Sequence, residues 1–131
     1  MAKLKITIEK GSELFGAWAD DVPGIYGEGM TVQETKDSLL KSIALYKEYN
    51  KELPVALQGE VEFEWNFDTQ SFLQYYSGIF TKAALERITG VNQKLLGHYA
   101  SGLKKPRKTQ VQKIDSALKH FFNEMNQVHL L

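Results

Sequence analysis

Asn92, Gln93, Lys94, Gly97, His98 and Ser101 fall within one short segment, and their types suit the reading of bases. The amides of Asn and Gln each offer a donor beside an acceptor, the pair that the adenine edge presents in the major groove, and a lysine reaches guanine or phosphate. Gly97 lets a partner approach the backbone closely. Leu95, Leu96 and Tyr99, interleaved with these residues, are expected to face a core. Lys104-Lys105-Pro106-Arg107-Lys108 follows directly. A basic loop is ordinarily just solvated, but at the end of a base-reading helix Lys104, Lys105, Arg107 and Lys108 are placed to clamp phosphates, whose contacts dominate affinity.

Other chemistries find little support. The chain has no cysteine, which excludes disulfides and thiolate metal sites. His98, His120 and His129 are widely spaced and have no carboxylates gathered beside them, so no metal site is expected. Two-metal hydrolysis needs converging carboxylates. Asp20 and Asp21 are neighbours that would point apart in a strand, and Glu60, Glu62 and Glu64 read as the wet side of a strand. All three histidines lie in the second half, away from these acids. Neither catalysis nor a cofactor is expected.

The elements that must position these residues fall into two groups. Leu4, Ile6 and Ile8 alternate with polar residues and predict a strand; Gly11-Ser12 supplies a turn into a second, Phe15 to Ala19. Ile25-Tyr26-Gly27 predicts a third, ended by Gly29. Thr31-Val32-Gln33-Glu34 matches a capping box opening a helix to about Asn50, with Val32, Leu39, Ile43 and Tyr46 on one stripe and Leu40 and Ala44 beside it. Residues 60–67 alternate throughout and predict a fourth strand. The first part, 1–68, is therefore expected to be a βββαβ domain with one helix on a mainly antiparallel sheet. From Thr69 the period turns helical: Ser71–Tyr76, Thr81–Thr89, Asn92 to about Gly102, and Thr109 to about Met125 are expected helices, the last carrying Val111, Ile114, Leu118 and Phe121/Phe122. Thr81–Thr89, the turn Gly90-Val91 and Asn92–Ser101 meet the requirements of a helix-turn-helix. The fold class expected is α+β, with an all-α helix-turn-helix domain over 69–131.

Formal net charge is zero, yet residues 1–68 hold 7 Lys and Arg against 13 Asp and Glu, a net of −6, and residues 69–131 hold 9 against 3, a net of +6. Such asymmetry suggests two modules with different partners, the basic one suited to phosphate and the acidic one to a basic protein. No apolar run approaches the ~20 residues of a membrane helix, and Met1 to Ile6 lacks the apolar stretch of a signal peptide. A cytoplasmic protein without membrane contact is expected.

Residues Leu85–Leu118 resemble the lambda-repressor-like (Cro and XRE) helix-turn-helix family. The resemblance rests on Ile88-Thr89-Gly90-Val91-Asn92-Gln93, on the turn Ser101-Gly102-Leu103-Lys104-Lys105-Pro106, and on Val111, Ile114 and Leu118. It implies that Gln93, Lys94, Gly97 and His98 read bases while Lys82, Asn92 and Lys104 contact phosphates. Lys82 stands where the family often has glutamine, and Glu86 and Leu95 are milder departures.

Residues 3–67 are similar to the HicB antitoxin family. The segment from Phe15 through Pro23-Gly24, Gly29 and Thr31 reproduces its strand, acidic bend, Pro-Gly, short strand, Gly-x-Thr and helix, with Thr35 in place of the usual alanine. That likeness implies a partial RNase H-like domain which binds and blocks a small basic RNA-cleaving toxin (HicA-like), joined to a domain that represses the shared operon. Trp18, Asp20, Asp21 and Tyr26 are the expected toxin contacts. The alternative is a stand-alone transcriptional regulator whose first domain senses a ligand or oligomerises. Operator reading implies a homodimer or higher oligomer. Phe121, Phe122, Met125, Val128, Leu130 and Leu131 would build that contact or pack on the Ser71–Tyr76 helix.

Overall fold

The structure, a computed structural model, describes residues 2–131. The protein is α+β, a four-stranded mixed sheet followed by helices. Strands β1 (Leu4–Lys10), β2 (Phe15–Ala19) and β3 (Tyr26–Gly29) form an antiparallel meander, and β4 (Phe63–Phe67) lies parallel to β1 on its other side, giving the order β3-β2-β1-β4. A parallel pair needs a crossover connection. Helix α1 (Val32–Tyr49) and a 3-10 turn at Val55–Leu57 provide it. The ladder of β4 begins at Phe63, opposite Leu4, where β1 itself begins. The strand is therefore shorter than the alternation over 60–67 suggests, although Val61 still packs against the core.

Alternation sorts the sheet into two faces. Leu4, Ile6, Ile8, Phe15, Ala17 and Ala19 point inward and meet Val32, Leu39 and Ile43 of α1, the apolar burial that is the main favourable term in folding. Leu40 and Ala44, expected beside this stripe, face outward; the fourth inward position is Thr35, whose hydroxyl donates to the Thr31 carbonyl at 2.7 Å. Two glycines permit the close approach of α1 to β3. A Cβ on Gly27 would lie 2.5 Å from the Leu39 nitrogen and 2.8 Å from the Thr35 carbonyl oxygen, and one on Gly29 would lie 2.8 Å from the Thr35 nitrogen. Thr31 caps α1 by accepting from the Glu34 N–H at 3.1 Å. Glu34 reaches back one residue further than a capping box requires, accepting from the Met30 N–H at 3.0 Å.

Edge strands expose unpaired backbone groups, and α1 satisfies those of β3. The N–H groups of Tyr26 and Glu28 donate to the hydroxyls of Ser42 and Ser38 at 3.1 and 3.2 Å. Helix α2 (Thr69–Tyr75) then packs against β1, α1 and β4 with Ser71 and Leu73 buried. Asp68 anchors it, accepting from the N–H of Lys10 at 2.9 Å with one carboxylate oxygen and from that of Ser71 at 2.7 Å with the other.

Contacts divide the chain into one compact unit that ends at Tyr75 and a second, Tyr76–Leu131. The division follows α2, seven residues beyond the switch to helical periodicity. Because those residues carry no charge, the units keep the opposite signs of the two halves. The second unit contains α3 (Lys82–Thr89), α4 (Gln93–Ser101) and α5 (Lys108–Met125). Helix α3 packs on both α4 and α5, and the buried side chains are Leu85, Val91, Leu96, Tyr99, Ile114 and Leu118. Leu95, expected in the core, is only half-buried, and Val111 is exposed. Phe122 packs its ring on Phe80 at 6.2 Å between centroids while staying partly exposed. Among the described residues no helix is long and apolar enough to cross a membrane.

Candidate nucleic-acid interface

Local signals set α3 and α4 at a defined angle. Thr81 caps α3 by accepting from the Ala84 N–H at 3.0 Å. Gly90 ends it in the left-handed region, at φ +74, with its N–H on the Glu86 carbonyl at 2.7 Å; a glycine there avoids the strain a Cβ would bring. The Thr89 hydroxyl donates to the Leu85 carbonyl at 2.7 Å and accepts from the Val91 N–H at 3.1 Å, so α3 and the turn are held by one buried group. Val91, 3% exposed, plugs the corner.

Helix α4 starts with two capping bonds. Asn92 Oδ1 accepts from the Lys94 N–H at 2.8 Å. The main-chain N–H of Gln93 donates to Glu86 Oε1 at 2.9 Å, and Gln93 Nε2 lies 3.5 Å from Glu86 Oε2. Leu96 and Tyr99 are buried, leaving Gln93, Lys94 and Ser101 exposed and Gly97 and His98 half-buried. At three- and four-residue spacings, Lys94, Gly97, His98 and Ser101 share a face. Gly102, at φ +83, reverses the chain after α4, and the Lys104 N–H returns to the His98 carbonyl at 3.2 Å.

This return forms an open concavity of about 410 Å³ lined by Asn92, Lys94, Leu95, His98 and Lys104. Lys82 reaches α4 from α3, its stem passing over Gly97, where an added Cβ would sit 3.6 Å from Lys82 Cε. Six of the ten residues expected to contact nucleic acid, Lys82, Asn92, Lys94, Gly97, His98 and Lys104, thus share one surface, with Gln93 at the helix start. Lys105, Arg107 and Lys108 are exposed beyond it. Lys108 is the first residue of α5, preceded by Arg107 at the N-cap position, so the basic loop is one residue shorter than its composition suggests. His98 Nδ1 is buried without a hydrogen-bond partner.

Sequence reasoning missed the role of Glu86. It is one of three acids in 69–131, beside Asp115 and Glu124, and that rarity, with its departure from the helix-turn-helix family pattern, is the signal the sequence offers. Lys113 was also missed; its Nζ lies 3.9 Å from where a Cβ on Gly90 would be, over the turn.

The sheet face away from α1 carries a second group of expected contacts. Trp18 lies opposite Tyr26, and Thr7 opposite both Trp18 and Asn66. Asp20 accepts from the Thr7 hydroxyl at 2.7 Å, and Asp21 is exposed in the bend that follows. Lys5, Glu9, Glu28 and Glu64 alternate onto this face. The Tyr26 hydroxyl donates to Glu28 at 3.2 Å. Desolvation, then the hydrogen bond to Glu28 and its charge, raise the Tyr26 phenol above its usual 10.0. Among the described residues no three His, Asp or Glu side chains gather where they could hold a metal ion.

Compared with known proteins, the chain matches no family model, no curated protein and no solved structure.

Proposed function

We propose that the chain is the antitoxin of a type II HicA/HicB-like toxin–antitoxin system. Its second unit acts as a lambda-repressor-like helix-turn-helix that binds operator DNA and represses its own operon. Its first acts as a βββαβ, partial RNase H-like HicB domain that neutralises a small basic RNA-cleaving toxin. One observation carries the reading: the polar face of α4, with Lys82 and Lys104 on either side of it, stands in a unit of net charge +6. Gln93, Lys94, Gly97 and His98 read bases, and Lys82, Asn92, Lys104, Lys105, Arg107 and Lys108 hold phosphates. Trp18, Asp20, Asp21 and Tyr26 contact the toxin, with the acidic sheet face steering a basic partner. The chain works in the cytoplasm as a homodimer or higher oligomer, without cofactor or catalysis of its own.

The test is co-purification of the chain with the product of the adjacent reading frame, combined with binding to the DNA upstream of the pair. The expected result is a stable complex that abolishes RNA cleavage, and salt-sensitive binding to that DNA which Gln93→Ala weakens. DNA binding without any complex would leave a stand-alone regulator. Absence of DNA binding would remove the reader assignment.

A further inference from the structure

We infer that Glu86 is the positioning residue that sets the base preference of Gln93. The inference rests on the reading of α4 as a recognition helix and names a determinant within it.

A glutamine amide can face a base in either of two orientations, exchanging its donor and acceptor. Glu86 distinguishes them. A carboxylate only accepts hydrogen bonds. Oε1 of Glu86 takes the Gln93 main-chain N–H at 2.9 Å, and Oε2 draws Gln93 Nε2 to 3.5 Å. The opposite orientation would set the amide oxygen against a carboxylate oxygen. Gln93 is therefore left with Oε1 and one N–H for the groove, the acceptor and donor that match adenine N6 and N7. Holding the side chain before DNA arrives also removes part of the ordering cost of binding.

The position of Glu86 makes this more than helix capping. It reaches α4 from α3, seven residues before Gln93 and across the turn, while Asn92 already caps the Lys94 N–H. An acid at the start of a helix that approaches phosphate is also electrostatically unfavourable for DNA affinity. Glu86 thus trades affinity for orientation.

The experiment uses the full chain and a random-sequence duplex pool, from which the wild type, Glu86→Gln, Glu86→Ala and Gln93→Ala proteins each select their preferred sites. Wild type is expected to prefer adenine at one position by about tenfold or more, and Gln93→Ala to lose that preference. Glu86→Gln keeps one oxygen for the Gln93 main-chain N–H but presents an NH₂ group where Oε2 stood. Its melting temperature should stay within about 2 °C of wild type, the range of a few tenths of a kcal/mol. Its adenine preference should fall below about threefold, while affinity for duplexes lacking the preferred adenine holds or rises with the lost negative charge. Glu86→Ala should lose both preference and some stability.

A wild-type adenine preference that Glu86→Gln retains in full would overturn the inference and leave the DNA reading intact. So would a preference that survives Gln93→Ala. If the wild type selects no sequence at all, the DNA reading itself fails and the assignment of Glu86 falls with it.

Discussion

Lys82 and Gly97 are neighbours across two helices: the lysine stem passes beside the point where a side chain on Gly97 would begin, with Cε and Cδ at 3.6 and 3.7 Å from an ideal Cβ. Those separations are ordinary van der Waals contacts, so alanine fits without displacing Lys82. Glycine within a helix costs about 1 kcal/mol relative to alanine. Gly97→Ala should therefore raise the melting temperature of the second unit by several degrees, roughly the 4–8 °C that 1 kcal/mol brings in a domain of this size. The same methyl stands on the face proposed to meet base edges and should weaken DNA binding by about tenfold. Calorimetry and a binding titration on one protein sample check both. A Gly97→Ala variant that is less stable would show that the backbone at this position needs glycine for its own conformation.

Local chemistry was legible in the sequence, and contacts between distant side chains were not. Thr31, Thr81 and Asn92 each announce a helix start, Gly90 and Gly102 each announce an end, and all five act as caps. These signals work because a cap satisfies backbone groups within three or four residues of itself. The affiliation of α2 was not legible: a helical period says nothing about which sheet Leu73 will pack on. Leu40 stands beside the apolar stripe of α1 in the sequence, but whether that flank is covered depends on what packs there, and Leu40 is exposed. Glu86 and Gln93 were each visible, yet their contact requires the turn between the helices to be built first. The residues proposed to face DNA stand out by their types, whereas Glu86, inferred to orient one of them, does not.

Gly27 predicts a sharp loss of stability in the first unit. A Cβ there would meet main-chain atoms of Leu39 and Thr35 at 2.5–2.8 Å, and backbone in the middle of α1 has no way to yield as a side chain would. Gly27→Ala should cost about 3 kcal/mol, the upper range of overpacking. Both tryptophans, Trp18 and Trp65, belong to the first unit, so fluorescence during urea unfolding reports that unit. The midpoint should fall in the variant while the DNA binding proposed for the second unit persists. An unchanged tryptophan transition would mean that α1 can lift from β3 at little cost.

The basic residues after α4 predict a change in salt dependence. Each phosphate contact contributes about 0.9 to the slope of log affinity against log salt concentration. Neutralising Lys104, Lys105, Arg107 and Lys108 together should flatten that slope by roughly 3–4, while the ranking of preferred sequences is kept, because phosphate contacts carry no base information. Binding isotherms at a series of salt concentrations give the slope directly. A slope that does not move would assign these four residues to solvent alone.

Tyr26 predicts an alkaline signature for the open sheet face. Desolvation, followed by the hydrogen bond and charge of Glu28, raises its phenol above 10.0. For a raised pKa, the folded state holds the proton more tightly than the unfolded chain does. The stabilisation is therefore complete below pH 10.0 and is lost as pH climbs through the higher folded value. The difference in phenolate absorbance between wild type and Tyr26→Phe isolates this residue from the other tyrosines. Its midpoint should lie above 10.0, and Glu28→Gln should lower it without restoring the ordinary value, because desolvation, the larger cause, stays. A basic partner on this face would move the midpoint the other way, since nearby positive charge favours the phenolate. A Tyr26 midpoint that ignores Glu28→Gln would separate the two side chains and remove the acidic environment assigned to this phenol.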